Sequence, residues 1–134
     1  MPTQPIVLID DDSAWSEATA ALLQGEGFDV LTAGNGEHGL ELILDNNPCL
    51  VILDAHLPRL GGLEVLRELH QAQQRSPVLM VSADDRSALI NQAMDEGAAG
   101  FLRKPVSPPM LLRAIRRFVE RVPAESTNAL APPS

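Results

Sequence analysis

Side chains capable of chemistry follow four of the short apolar runs in this sequence. They are three carboxylates, a hydroxyl and an amine, in chain order Asp10, Asp11, Asp54, Ser82 and Lys104. Carboxylates gathered at one place repel one another, so a cation must sit among them. Oxygen-only ligands favour a hard ion such as Mg²⁺, and the lysine is a second source of positive charge. A hydroxyl and an ammonium directed at the same point suit a tetrahedral oxyanion, most simply a phosphoryl group.

Asp54 ends the most apolar of these runs. Residues 49–53 are all apolar and lead into it, and a turn containing Pro58, Gly61 and Gly62 follows. An Asp in this position is commonly only a loop residue. A carboxylate can also act as a nucleophile and form an aspartyl-phosphate, while a metal and a lysine neutralise the transferring group. The polar residues at the other strand ends favour this second interpretation.

The elements that must position these groups are five strands alternating with five helices. Continuous apolar runs predict strands at 6–9, 49–53 and 78–81, loose alternation predicts one at 28–33, and residues 98–102 are predicted to form a short fifth strand. Helical spacing between Gly and Pro breaks predicts helices at 13–24, 37–45, 63–73, 86–95 and 107–121. This alternation predicts an α/β fold, a doubly wound parallel sheet with helices on both faces. Parallel strands present their carboxyl ends at one edge, so the fold would gather the polar side chains there.

Length and composition indicate one globular domain. The 134 residues are 45% apolar and 21% charged, which is ordinary for a soluble protein with its own core. The net charge of −8 argues against direct nucleic-acid binding and against charge-driven binding to an anionic membrane. We expect neither a signal peptide nor a membrane span, since a basic N-terminal region and a long apolar run are lacking. The one cysteine, Cys49, offers no disulfide, so we expect a cytoplasmic location.

The C-terminal residues differ in composition from the rest. From Pro123 onward they are small, polar and proline-rich. This predicts a domain over 5–121, with a last helix ending near Arg121, and a disordered tail or linker over 122–134. Because such segments commonly separate domains, we interpret it as a linker rather than the end of a stand-alone regulator.

Five stretches of the chain resemble the receiver domain of bacterial two-component response regulators. They are Ile6–Asp11, Ala33–Leu40, Leu53–Leu63, Val81–Ala83 and Gly97–Pro105. The resemblance covers roughly residues 5–121 and implies a flavodoxin-like sheet of strand order 2-1-3-4-5, with strands one and three side by side. Its departures are mild and remove no catalytic group: Gly39 replaces a more usual Ala, Ala99-Gly100 replaces more polar residues, and the switch hydroxyl is Ser rather than Thr.

The resemblance also implies the chemistry of the site. Asp54 would be the phosphoacceptor, taking a phosphoryl group from a histidine kinase or phosphotransfer protein. Asp10 and Asp11 would hold Mg²⁺, helped by Asp54 and by the backbone carbonyl of His56. The domain would catalyse only its own phosphorylation and dephosphorylation, so it is not expected to be an enzyme in the usual sense.

The remaining implied roles concern signal output. Ser82 would be the switch hydroxyl, Lys104 would contact the phosphoryl group, and the Lys104–Pro105 bond would be cis. Phe101 would be the aromatic switch residue whose rotamer follows Ser82. The face formed by helix 4, strand 5 and helix 5 would meet an output domain or effector, and could also support a homodimer.

Some residues have plainer interpretations. Asp12 and Asp84 are predicted helix caps rather than ligands. His56 reads as a solvated loop residue, although His56 and Asp84 flank the pocket and could tune hydrolysis of the phosphoryl group. Trp15 either packs in part against the domain or serves as an aromatic anchor for the kinase.

Three alternatives to a simple response regulator remain at this point. The chain could be a receiver module of a hybrid sensor kinase or phosphorelay. It could also be an Asp-nucleophile phosphatase of the haloacid-dehalogenase type, for which Asp10 and Asp12 have the required spacing but no cap domain is evident. The third is an interaction module without phosphoryl chemistry, against which the intact set of acid, hydroxyl and lysine speaks.

Overall fold

A five-stranded parallel sheet organises the chain. The computed structural model describes residues 4–128, with side-chain burial described up to residue 119. The strands are β1 Ile6–Ile9, β2 Val30–Ala33, β3 Leu50–Leu53, β4 Val78–Ser82 and β5 Gly100–Arg103. Their order in the sheet is β2-β1-β3-β4-β5, and every neighbouring pair is parallel. The predicted fold class and strand order are therefore confirmed.

A helix follows each strand. The helices are α1 Ser13–Gly25, α2 Gly36–Asn46, α3 Gly62–Gln71, α4 Ser87–Asp95 and α5 Pro108–Asn128. Asp12 caps α1 as predicted, because its carboxylate accepts a hydrogen bond from the Trp15 N–H (3.1 Å). Asn35 caps α2 in the same way, accepting from the His38 N–H (2.9 Å). These caps satisfy N–H groups that have no partner within their helix.

The core lies in two layers, one on each face of the sheet. Alternate residues of β1 point to opposite faces, so Val7 and Ile9 join one cluster while Ile6 and Leu8 join the other. The first core cluster includes residues of α2, α3 and α4, and the second core cluster includes residues of α1 and α5. Every residue of β1 and β3 is buried. Full burial of each large aliphatic side chain contributes about 1.5–3 kcal/mol, so the two strands that precede the carboxylates stabilise the fold strongly.

Two glycines allow the loop after β3 to lie against its surroundings. A Cβ added at Gly36 would come within 1.8 Å of the Leu60 carbonyl oxygen, and one at Gly62 within 2.4 Å of the Asp54 carbonyl oxygen. The Gly62 N–H also donates to the Ala55 carbonyl (2.9 Å). The start of α2 and the start of α3 therefore both contact the loop that leaves Asp54.

Two strands begin two residues later than predicted, for the same reason. β2 begins at Val30 instead of residue 28, and β5 begins at Gly100 instead of residue 98. The Phe28 N–H donates to the Leu23 carbonyl of α1, and the N–H of Ala98 donates to α4 in the same way. Both residues thus complete the preceding helix before the chain becomes extended.

The prediction that the last helix ends near Arg121 is wrong. α5 extends to Asn128 and so includes residues 122–128. A proline inside a helix removes one hydrogen bond, and the good helix formers Ala124 and Glu125 follow Pro123 directly. Residues 129–134, the rest of the predicted tail or linker, lie outside the described residues. No helix within residues 4–128 is both long and apolar enough to cross a membrane.

Candidate functional site

The carboxyl ends of four strands bring the predicted side chains to one edge of the sheet. The backbone ladder continues one residue past the strands: the Asp54 N–H donates to the Ile9 carbonyl (3.0 Å), and the Lys104 N–H donates to the Ser82 carbonyl (2.9 Å). The Asp10 N–H likewise donates to the last residue of β2 (3.0 Å). Strand register therefore sets the positions of these residues.

Asp10, Asp11 and Asp54 form a carboxylate cluster. One oxygen from each lies within 4.8 Å of the other two. The side chain of Asp10 is 1% exposed and that of Asp54 is 11% exposed, whereas Asp11 faces solvent. Three carboxylates with one open side match the oxygen donors that a hard divalent cation prefers while it keeps several waters. The residues present therefore fit Mg²⁺.

Lys104 lies against this carboxylate cluster. Its Nζ is 2.6 Å from Asp10 Oδ2 and 3.5 Å from Asp54 Oδ2. Burial acts to lower the pKa of Lys104, but its hydrogen bond to Asp10 and the charges of Asp54 and Asp10 outweigh burial and raise that pKa. The ammonium is therefore firmly protonated at neutral pH.

Asp10 responds differently to the same ion pair. Burial raises its pKa most, and the Asp54 charge raises it further, while the bonds from Lys104 and from the Asp12 N–H (2.9 Å) oppose these effects. The net pKa of Asp10 is raised. Lys104 alone thus does not offset the burial of this charge.

Ser82 lies at the end of β4 with its hydroxyl buried. The residue is 1% exposed, and its Oγ accepts a hydrogen bond from the Asp84 N–H (3.2 Å). That bond ties the hydroxyl to the loop that leads into α4. The structure thus places Ser82 at the same sheet edge as Asp54 and Lys104.

The prediction that Asp84 caps α4 is wrong. The N-cap residue is Arg86, which makes no side-chain capping bond. Asp84 instead accepts from the Arg86 guanidinium at 2.8 and 2.6 Å. The hydrogen bonds from Arg86 and His56 hold the pKa of Asp84 well below its usual range. Asp84 lies two residues before the N-cap, so its carboxylate accepts from the Arg86 backbone N–H (3.2 Å) and not from the first turn of α4.

His56 and Asp84 connect the two loops that flank the cluster. His56 Nε2 lies 2.7 Å from Asp84 Oδ2 although the imidazole is 62% exposed. The His56 N–H also donates to Asp54 Oδ1 (3.3 Å). His56 is thus more than the solvated loop residue that the sequence suggested.

Two further predicted residues lie on β5 and just after it. Phe101 is aligned with Met80 of β4, is partly buried and packs against the first core cluster. The Lys104–Pro105 peptide bond is cis, as the resemblance implied.

Sequence reasoning missed a contact of Trp15. The ring packs against the second core cluster, as one of the two interpretations predicted. Its centroid also lies 4.5 Å from Lys104 Nζ. No sequence pattern connects Trp15 with Lys104, because the two are far apart in the chain. The one available signal is that Trp15 lies one helical turn after Asp11 and hence close to the cluster.

The Asp-nucleophile phosphatase alternative finds no support in this geometry. It requires both Asp10 and Asp12 to face the reacting group, but the Asp12 carboxylate is engaged in capping α1. The cluster is instead formed with the adjacent Asp11.

Known proteins share both the sequence pattern and the fold. A family model described as "Response regulator receiver domain" matches residues 6–116. The transcriptional activator protein ExaE of Pseudomonas putida is 39% identical over 116 residues, which is 84% of this chain and 54% of that protein. The DNA-binding response regulator MtrA of Mycobacterium tuberculosis is 31% identical over 128 residues, 96% of this chain and 56% of that protein. The chain thus spans about half the length of these curated relatives.

Solved structures show the same architecture. A CheY-like response regulator receiver domain protein from Methanospirillum hungatei superimposes with a TM-score of 0.87 at 27% identity, covering 92% of this chain and 99% of that one. The signal receiver domain of the putative response regulator NarL from Mycobacterium tuberculosis gives a TM-score of 0.82 at 28% identity, covering 90% and 98%.

Proposed function

This chain belongs to the response regulator receiver domain family, and on that premise we propose that Asp54 accepts a phosphoryl group from a phosphohistidine. The donor is a histidine kinase or a phosphotransfer protein. The observation that carries this proposal is the Lys104 ammonium, held 2.6 Å from Asp10 and 3.5 Å from Asp54. A positive charge beside a partly exposed carboxylate suits a reaction that brings a phosphoryl group to it.

The chemistry is a transfer between two nucleophiles. A carboxylate oxygen of Asp54 attacks phosphorus, and the bond between phosphorus and the histidine nitrogen breaks. The leaving nitrogen keeps the electron pair and takes up a proton, while Asp54 becomes an acyl phosphate. In hydrolysis, water attacks phosphorus and the bond between phosphorus and the Asp54 oxygen breaks. Inorganic phosphate leaves, and the Asp54 carboxylate is restored. The domain therefore acts on itself alone.

The neighbouring residues support each part of this reaction. Lys104 neutralises charge on the phosphoryl oxygens, and the Ser82 hydroxyl donates to one of them. Asp10, Asp11 and Asp54, with the His56 carbonyl, would hold Mg²⁺, which when bound neutralises the acids and the incoming group. The bridge between His56 and Asp84 restricts the approach of water and so slows hydrolysis.

Phosphorylation then changes the surface that partners contact. Ser82 leaves its bond to the Asp84 N–H to meet the phosphoryl group, and Phe101 follows it, which shifts a two-state equilibrium. The affected face consists of α4, β5 and α5. Relatives named as a transcriptional activator and as DNA-binding extend well beyond the matched region, so we propose that this face controls an output domain or effector or pairs with a second copy. A receiver within a hybrid kinase or phosphorelay would use the same site.

The direct test is incubation with acetyl phosphate and Mg²⁺, followed by intact mass spectrometry under conditions that preserve an acyl phosphate. We expect one phosphoryl adduct on the native chain and none on Asp54→Asn. Asp45→Asn, an exposed acid on α2, is the matched control and should be modified like the native chain. No adduct on the native chain would overturn the function, and an undiminished adduct on Asp54→Asn would overturn the site.

A further inference from the structure

Lys104 is held on two sides by different kinds of group. Its Nζ lies 2.6 Å from Asp10 Oδ2 and 3.5 Å from Asp54 Oδ2, and 4.5 Å from the centroid of the Trp15 ring. Its side chain is 16% exposed. Lys104 is the only lysine of the sequence and Trp15 is its only tryptophan.

The ring itself is well fixed. The backbone N–H of Trp15 donates to Asp12 Oδ1 (3.1 Å), which places the residue in the first turn of α1. The ring is partly buried and packs against the second core cluster. The start of α1 thus positions the backbone of Trp15, and the core packs against its ring.

A fixed aromatic face beside a lysine has a specific physical effect. A lysine stem is flexible and its ammonium is strongly hydrated, so an unrestrained Lys104 would spend time in solvent. The face of an indole attracts a cation without the directional demand of a hydrogen bond. Such a surface limits the ammonium to the region of the carboxylates, yet allows it to slide along the ring.

We propose that Trp15 is a positioning residue that holds the Lys104 ammonium at Asp54 and guides its movement toward an arriving phosphoryl group. This inference rests on the proposed function for its kinetic consequence. Asp10 is the stronger attraction in the free protein, so Lys104 must turn from Asp10 toward the new phosphoryl oxygens. The ring keeps its contact with the ammonium throughout this movement, whereas the ion pair with Asp10 is broken by it.

The contact can be tested without any phosphorylation. Isotope-labelled lysine introduces a single labelled residue, so the Hε signals of Lys104 are read directly by NMR. We expect these protons to be shifted upfield by the Trp15 ring current in the native chain, partly in Trp15→Phe, and not in Trp15→Leu. Unshifted native Hε signals would overturn the proposal.

The kinetic role is tested with acetyl phosphate and Mg²⁺. We expect Trp15→Leu to phosphorylate about threefold to tenfold more slowly, and Trp15→Phe to recover most of the rate, in line with the usual strength of a cation–aromatic contact. In a Lys104→Met background, Trp15→Leu should cause no further loss. An equal Trp15→Leu effect in both backgrounds would show that Trp15 does not act through Lys104.

Packing is separated from positioning by a matched variant. Phe28→Leu removes an aromatic ring from the same core cluster, and Phe28 precedes β2, at the opposite end of the parallel sheet from Lys104. It should lower the melting temperature without slowing phosphorylation. Rates that follow melting temperature across Phe28→Leu, Trp15→Phe and Trp15→Leu would overturn the proposal. If the native chain forms no phosphoryl adduct, the proposed function fails, while the NMR signals still decide whether Trp15 holds Lys104.

Discussion

At the scale of single residues, Asp10 carries a charge that the fold does not fully compensate. Its side chain is 1% exposed, and burial followed by the Lys104, Asp12 and Asp54 contacts leaves its pKa raised above the ordinary 3.8. Protonation of Asp10 therefore favours the folded state. This contribution is present below the ordinary pKa and is lost as pH rises through the raised pKa of the folded protein.

Asp10→Asn should therefore stabilise the metal-free protein at neutral pH. Asparagine has the same shape and no charge, so it keeps the acceptor for the Asp12 N–H and removes the burial cost. We expect a rise in melting temperature of a few degrees, since 1 kcal/mol corresponds to roughly 4 °C in a domain of this size. The gain over the native chain, measured by urea unfolding with a chelator present, should grow as pH rises from about 4. A gain that shrinks with rising pH would contradict this account.

Sequence reasoning placed the residues at the strand ends well and their neighbours poorly. Asp10, Asp54 and Lys104 follow strands, and a strand end has one position in a parallel sheet, so their meeting was predictable. The contact of Asp84 with His56 depends on the conformation of two loops, which no periodicity encodes. The roles of these residues in catalysis stay predictions until the adduct is measured.

At the scale of elements, the start of α2 lies directly against the loop that follows β3. A Cβ at Gly36 would lie 1.8 Å from the Leu60 carbonyl oxygen and 2.7 Å from its carbonyl carbon. Both are backbone atoms, which cannot rotate away as a side chain can. The Gly36 N–H also donates to the Pro58 carbonyl (3.4 Å).

Gly36→Ala should therefore force α2 and this loop apart. We expect a loss of about 1–3 kcal/mol in the free energy of unfolding, the usual cost of overpacking. Gly34→Ala is the control in the same connection, because a Cβ there meets nothing within 4 Å. The free energy of unfolding of both variants is measured by urea unfolding. If Gly36→Ala is as stable as Gly34→Ala, the contact between α2 and the loop tolerates a side chain and this account is wrong.

Element ends were predictable where one local rule acts alone. Asp12 caps α1 because its carboxylate has no competing partner, whereas Asp84 is drawn to Arg86 and His56 instead. The end of α5 was misjudged because composition was weighed above the helix propensity of the residues after Pro123. At the ends of helices, helix propensity, capping bonds and ion pairs compete for the same residues. The sequence alone does not show which of them prevails.

At the scale of the whole molecule, a metal site built from separate strands would link metal binding to folding. Any ion that binds the folded chain alone stabilises it, by about 2.7 kcal/mol at a concentration 100 times its Kd. The carboxylate cluster forms only when β1 and β3 are adjacent, so an unfolded chain lacks the site. Mg²⁺ should therefore stabilise this protein.

We expect the melting temperature of the native chain to rise progressively with Mg²⁺. Asp11→Asn should remove most of this rise, because it takes away the solvent-facing ligand. NaCl at matched ionic strength controls for screening of the net charge of −8. An equal rise with NaCl, or an unchanged rise in Asp11→Asn, would argue against a specific site.

The whole fold was the most predictable level. Alternating apolar strands and helices indicated a parallel sheet, and β1 and β3 are buried on both faces as such strands must be. Apolar patterning does not distinguish one strand order from another, however. That order came from the resemblance, carried by stretches such as Leu53–Leu63 and Gly97–Pro105.

The ion pair between Lys104 and Asp10 joins residues 94 positions apart, and this separation has a consequence for synthesis. The N-terminus of a protein leaves the ribosome first, so all three carboxylates of the cluster emerge before the only lysine of the sequence. β1 and β3 can pair on the nascent chain, but they then hold three acids without that internal counter-charge. The site becomes electrostatically complete only when the last strand joins the sheet.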